Sequence, residues 1–323
     1  MNLPKNTNLP FFAYGIFKPG QIACKHLEPY IDLEKSAKHT IKGRLVIRDG
    51  LLLLDPKIKI QEIVGYKIQF VEGKEQEAYE QIMEKEPNNF YRWNEDKVAK
   101  HLGINFLELR SPRKGIDQEY KTSFINTKKI KEEEYLIGFE DPFFSLGLDL
   151  LDEKLEFNTN NIEFNIPNAS LFRGLFKNQM KYLLLCTIVE RFAFMSINFK
   201  IKPTEAWNTI GNMNAFRISF NKMKKEFNLT DEILEKRIIF STNEIKSTKY
   251  SVFKSDNSES KKNPMDFYYQ IRNNITHRGK GVGGISNILN QYTRELKFLI
   301  RDLIDQEKQH AINFKNKIDK HQE

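Results

Sequence analysis

The chain has 323 residues, 40% hydrophobic and 29% charged, with a formal net charge of +8. That length suits two domains, and the composition excludes a disordered or fibrous chain. Two cysteines far apart in sequence, Cys24 and Cys186, exclude a disulfide scaffold and a cysteine-rich zinc site, and fit a reducing cytosol. No signal-peptide pattern opens the sequence, since Asn2-Leu3-Pro4-Lys5 leads straight into domain-like sequence. The most apolar long stretch, Tyr182 to Phe199, carries Glu190 and Arg191 at its centre, which favours a core helix over a membrane span. A soluble, cytoplasmic protein without membrane partners is expected.

Taken in chain order, the first hundred residues read as short strands. Thr40 to Arg48 alternates and meets a hairpin signal at Asp49-Gly50. Glu62 to Val71 alternates again, with Val64, Tyr66, Ile68 and Phe70 on one face. Glu75 to Lys85 is the one clear helix here, striped by Ala78, Tyr79, Ile82 and Met83. Phe90 to Trp93 and Ile104 to Leu109 read as further strands, which predicts a mixed α+β domain with a curled sheet and a packed helix. Residues 111–168 are poorer in pattern, and Asn158 to Asn161 with Pro167-Asn168 mark a boundary.

From Ser170 the grammar becomes helical. Helices are expected over Leu171–Asn198, Thr204–Phe227, Asp231–Ile239, Pro264–His277 and from Ser286 past Ile304, which makes a four- or five-helix, all-α bundle. Ser251 to Lys262 is polar and expected as a loop, and the charged tail after Gln309 is expected to fray. Residues 1–168 hold 24 Lys and Arg against 27 Asp and Glu, a net of −3; residues 169–323 hold 27 against 16, a net of +11. A basic half of that kind attracts polyanions, nucleic acid first, or else presents only a solvated lysine-rich surface.

Two motifs carry chemistry. Tyr14-Gly15-Ile16-Phe17 sits where a strand runs into a glycine turn, a place where backbone N–H groups can hold an anion. An acidic helix with Glu84 and Glu86 follows, and Tyr91 lies seven residues beyond Glu84. This order resembles the gamma-glutamylcyclotransferase-like (AIG2-like) family. The resemblance implies a barrel-like α+β domain over 8–110, extended and linked through 111–168. It also implies a pocket at Tyr14, Gly15, Ile16, Phe17 and Tyr91 for a small gamma-glutamyl-like ligand. A buried glutamate, best matched by Glu84 with Glu86 close behind, would serve there as acid/base in releasing 5-oxoproline. The alternative for Glu84 is a solvated carboxylate pairing with nearby lysines.

The second motif is Arg272-Asn273 with His277. Residues four apart on a helix share a face, so Asn273 stands over His277, and Arg272 is one step round. An Arg, an amide and a His at one helix end suit RNA cleavage by the 2′-hydroxyl: His277 moves a proton while Arg272 neutralises charge on the phosphorane. Neither metal nor cofactor is called for by this chemistry. The helix resembles the Arg-Asn-x-x-x-His motif of the HEPN superfamily, which implies a helical domain over 169–312 ahead of a charged tail over 313–323. It also implies a homodimer with a composite site, and an endoribonuclease of the toxin or antiviral-defence type acting on RNA, tRNA included. Glu190 and Arg191 resemble a further polar position of that family. With Arg278 and Lys280 they form the expected RNA contacts. Phe267, Tyr268 and Tyr269 stack on bases or, for at least two of them, fill the core. The alternatives are that His277 caps its helix and that Arg272 pairs with Asp266 or Glu295. A second reading keeps the enzyme in the first half, as a gamma-glutamyl amine cyclotransferase with the helical domain serving dimerisation or nucleotide binding.

Overall fold

The computed structural model describes residues 2–48, 51–56, 59, 61–86, 91–94, 104–109, 138–153, 169–198, 200–240, 247–250, 263–278 and 286–321. They form two compact units. One takes Met1–Asp141, Met195–Lys200 and Glu307–Glu323; the other takes Pro142–Phe194 and Ile201–Gln306.

The first unit is the expected mixed α+β structure. Strands β1 (Phe11–Ala13), β2 (Ala37–Arg48), β3 (Leu51–Asp55) and β4 (Gln61–Ile68) form an antiparallel sheet in the order β1-β4-β2-β3. A second antiparallel pair, β5 (Tyr91–Asn94) and β6 (Phe106–Leu109), meets β1 through Asn105, whose carbonyl accepts from Phe12 N–H at 2.7 Å and whose N–H donates to the Pro10 carbonyl at 2.8 Å. Alternation along the strands buries both faces of the curled sheet. Phe12, Ile41, Leu45, Leu54, Ile63 and Phe106 fill one side. Phe11, Tyr66, Ile68 and Phe70 pack on the other against helix α1 (Glu75–Lys85), whose Ala78, Tyr79 and Ile82 are buried. Val64 shares the face of Tyr66 and Ile68 but stays 43% exposed, unlike its expected companions. Gly65 answers a close approach, since a Cβ there would stand 2.6 Å from the Phe12 ring and 2.5 Å from the Ala13 carbonyl.

The expected fraying tail is instead helix. The last helix, α8 (Ser286–Lys320), runs past Gln309 to Lys320, and its final turns belong to the first unit. Phe314 and the fully buried Ile318 join the core of Tyr66, Ile68 and Cys24. Asp319 accepts from the Tyr66 hydroxyl at 2.8 Å, and Glu307 pairs with Lys25 at 2.6 Å. The charges after Gln309 mark only the exposed face of an amphipathic segment.

The second unit holds α2 (Leu146–Leu150), most of α3 (Ala169–Ser196), α4 (Pro203–Asn212), α5 (Asn214–Glu226), α6 (Asp231–Glu235), α7 (Pro264–Arg278) and α8 as far as Gln306. It is not all-α. Ile238–Phe240 and Ser247–Lys249 pair as an antiparallel ribbon, β7 and β8, where the sequence suggested a helix running through Ile239. The β-branched pair Ile238-Ile239 favours extended backbone once α6 has closed. The single helix expected over Thr204–Phe227 is broken at Met213, whose extended backbone caps α5. Thr230 caps α6, its hydroxyl accepting from Ile233 N–H at 3.2 Å. Among the described residues, no helix is long and apolar enough to cross a membrane.

At the centre of this unit lies a buried ion pair. Arg237 donates to both carboxylate oxygens of the fully buried Glu295, at 2.6 and 2.9 Å. The Tyr268 hydroxyl (3.2 Å) and Gln291 Nε2 (3.0 Å) complete the carboxylate's partners, and the Tyr292 ring lies 5.0 Å beneath the guanidinium. Such a pair is retained only where its geometry and hydrogen bonds offset desolvation.

Candidate functional site

Helix α7 runs unbroken through Arg278, so its backbone sets Asn273 and His277 one turn apart on one face. The side chains of His277 and Arg278 lie outside the described residues, as does Lys280 altogether. Phe267 and Tyr268 are buried in the core, as expected for two of the three aromatics, while Tyr269 is half-buried.

Arg272 is held from three directions. Its Nε lies 3.4 Å from Glu190 Oε1 on α3, and its Nη1–H donates to Asn273 Oδ1 at 3.3 Å. The Tyr269 ring lies 5.8 Å from the guanidinium carbon. Glu190 also accepts from the Trp207 indole N–H on α4 at 3.3 Å. Trp207 in turn leans on Tyr269 with ring centres 5.6 Å apart, and the Tyr269 hydroxyl meets Thr204 Oγ1 at 3.0 Å. Helices α3 and α7 thus meet at the guanidinium, α4 reaches it only through Glu190 and Tyr269, and the Arg272 side chain stays 23% exposed.

This arrangement sorts the expected residues. Arg272's ion-pair partner is Glu190; Glu295, one of the alternatives read from the sequence, is engaged by Arg237 instead. Glu190 therefore belongs to the cluster, but a carboxylate only accepts hydrogen bonds, so its part is not a direct phosphate contact. Arg191, about 100° further round α3, lies 4.9 Å over the Phe143 ring and takes a different direction from Glu190. Trp207 and Tyr269 were not singled out as a pair by the sequence. Tyr269 is legible in hindsight as the i−3 neighbour of Arg272, whereas Trp207 arrives only through tertiary packing.

The first unit holds a different chemistry. Tyr14 and Tyr91, expected to line a ligand pocket, spend their hydroxyls on the sheet. Tyr14 donates to the Leu107 carbonyl at 2.8 Å and accepts from Leu54 N–H at 3.2 Å, and Tyr91 donates to the Leu52 carbonyl at 2.9 Å. These bonds tie β5 and β6 to β3. Phe17 is buried in the core, and the left-handed turn of the loop falls at Gly20 (φ +89°) rather than Gly15.

Among the carboxylates the structure reverses the expected order. Glu84 is exposed beside Lys85 at 3.7 Å, whereas Glu86 is only 4% exposed. Helical periodicity explains the exchange: Glu86 continues the buried stripe of Ala78 and Ile82 at four-residue intervals, and Glu84 points the other way. Burial pushes the Glu86 carboxyl up to about 8, so it is largely protonated at neutral pH. Its Oε2 has no hydrogen-bond partner among the described residues. Tyr91 lies within its electrostatic reach, and burial first and Glu86 second hold the phenol well above its usual range.

Compared with family models, with curated proteins and with solved structures, the chain matches none.

Proposed function

We propose that the protein is a metal-independent endoribonuclease of HEPN type, whose helical unit cleaves RNA through Arg272, Asn273 and His277. The observation that carries the reading is the Arg272 guanidinium. It is partly exposed and fixed by Glu190, Asn273 and Tyr269, on a helix that brings His277 to the next turn on the face of Asn273. In this reading His277 takes the proton of a ribose 2′-hydroxyl as its oxygen attacks the adjacent phosphorus. The P–O5′ bond breaks, the leaving oxygen is protonated, and a 2′,3′-cyclic phosphate remains. Arg272 balances the charge that builds on the phosphorane oxygens, where a pre-positioned cation is worth most. The active form is a homodimer through the helical unit, and the N-terminal unit senses or binds a small ligand. A toxin or antiviral-defence role and a cytoplasmic location accompany this proposal.

The test is incubation of the full chain with total RNA and tRNA in EDTA, beside Arg272→Ala and His277→Ala. The expected result is cleavage by the wild type with 2′,3′-cyclic phosphate ends, and a loss of at least about a hundredfold in each variant. Intact RNA with the wild type, or equal cleavage by the variants, refutes it.

A second reading, a gamma-glutamyl amine cyclotransferase, is favoured by one observation: a buried, largely protonated glutamate with an unpartnered oxygen. Its acid/base is then Glu86 and not Glu84. Release of 5-oxoproline from gamma-glutamyl amines, lost in Glu86→Gln and kept in Glu84→Gln, would support it; no release by the wild type ends it.

A further inference from the structure

Glu190 Oε1 stands between groups from two other helices: it accepts from the Trp207 indole N–H at 3.3 Å and pairs with the Arg272 guanidinium, whose Nε lies 3.4 Å away. Trp207 is 1% exposed and fixed in the core, so the carboxylate is anchored from the protein interior and passes that anchor to Arg272. The long arginine side chain has several rotatable bonds, and holding it in one orientation has an entropic cost that preformed contacts offset. With Nε beside Glu190 and Nη1 donating to Asn273 Oδ1, Nη2 and the second Nη1 proton have no hydrogen-bond acceptor among the described residues and can meet an anion. A carboxylate so close to the guanidinium also lowers its positive potential, so the pair costs binding energy toward a phosphate unless orientation repays it. A purely structural acceptor for Trp207 would not need to be charged or to face a partly exposed arginine.

We propose that Glu190 is a positioning residue for the ribonuclease reaction, acting through Arg272 by aiming its guanidinium at the scissile phosphate, with Trp207 as the anchor. The inference rests on the ribonuclease reading and adds a residue to it. It assigns Glu190 to the rate of the chemical step rather than to RNA affinity, because orientation gained at the transition state appears in kcat. Two neighbours carry the same logic to a lesser degree. Tyr269 supports the guanidinium from its face, and Thr204 holds the Tyr269 hydroxyl.

The experiment compares the full chain with Glu190→Leu, Glu190→Gln, Arg272→Ala and the Glu190→Leu/Arg272→Ala double variant on the RNA cleaved by the wild type. Leucine keeps the volume without an acceptor, and glutamine keeps an acceptor oxygen without the charge. The expected result is a fall in kcat of about a hundredfold for leucine with KM within about twofold, and recovery by glutamine of about tenfold of that loss. The double variant should be no slower than Arg272→Ala alone, since a residue that acts through another adds nothing once that other is gone. Thermal melts read folding separately, and should Glu190→Leu not fold, the glutamine variant and its double with Arg272→Ala carry the same comparison. Wild-type kcat in the Glu190 variants overturns the inference and leaves the reading standing. So does a change confined to KM, or a further loss on the Arg272→Ala background. A wild type that cleaves no RNA overturns the reading and this inference with it.

Discussion

At the residue scale, Glu86 is where charge, burial and pH meet. Just past the end of α1, it stands in line with the helix's buried stripe, where an apolar side chain would ordinarily sit, and nothing described offsets the desolvation of its carboxylate. A folded-state value raised from 4.5 to about 8 means that the folded chain holds this proton more tightly than the unfolded chain. Its contribution to stability is therefore fully present below about pH 4.5 and is lost as pH rises through about 8. His26 has the opposite sign: burial lowers it from 6.5 to about 4, so its contribution is present above pH 6.5 and is lost as pH falls through about 4. Comparing wild type with Glu86→Gln cancels the histidine and isolates the glutamate. From pH 5 to pH 8 the wild type should lose on the order of 3 kcal/mol relative to the variant. Urea denaturation of both at the two pH values measures this. Parallel pH profiles would show that Glu86 is not a buried acid with a raised pKa.

At the element scale, the legible parts of the fold are those where periodicity and local chemistry agree. Helix α1 lies at Glu75–Lys85 as read, because four apolar residues on one face and an acidic first turn point to the same element. Helix α7 begins at Pro264 as its start signal indicates, and its backbone sets Asn273 and His277 one turn apart, as the spacing implied. What periodicity missed lies where an apolar period runs on across a change of backbone conformation. The break at Met213 interrupts a continuous apolar period, and β7 takes residues that continue a helical pattern until β8 pairs with them. The site was legible to the same depth. Arg272, Asn273 and His277 lie along one helix and can be read from it, whereas the contacts of Trp207 and Glu190 depend on α3 and α4 packing beside α7. The burial of Glu86 was readable from the sequence, since Ala78, Ile82 and Glu86 recur at intervals of four, whereas the family spacing that selects Glu84 carries no information about which face is buried.

At the scale of the whole molecule, the chain order misleads about charge. Divided at residue 168, the second half carries +11. Divided by the units that fold together, the helical unit holds 23 Lys and Arg against 18 Asp and Glu, a net of +5, and the other unit a net of +3. The basic end of α8 belongs with the sheet, and the acidic stretch after Asp141 belongs with the helices. A bulk basic excess is then a weak argument for RNA, and the case rests on the local geometry around Arg272. The same division makes the end of the chain part of the first unit's core. Ile318 is fully buried among Tyr66, Ile68 and Cys24, while its neighbour Lys317 is exposed. Truncating a buried isoleucine to alanine costs about 3 kcal/mol through lost burial and the cavity left behind. Ile318→Ala should therefore lower hydrogen-exchange protection of the β1 and β4 amides by about a hundredfold where their exchange requires the unit to open. Lys317→Ala, on the same helical turn, should leave it within about twofold. Unchanged protection in Ile318→Ala would mean that the final turns of α8 rest on the sheet without helping to hold it, and that the tail is after all the dispensable, charged segment its composition suggests.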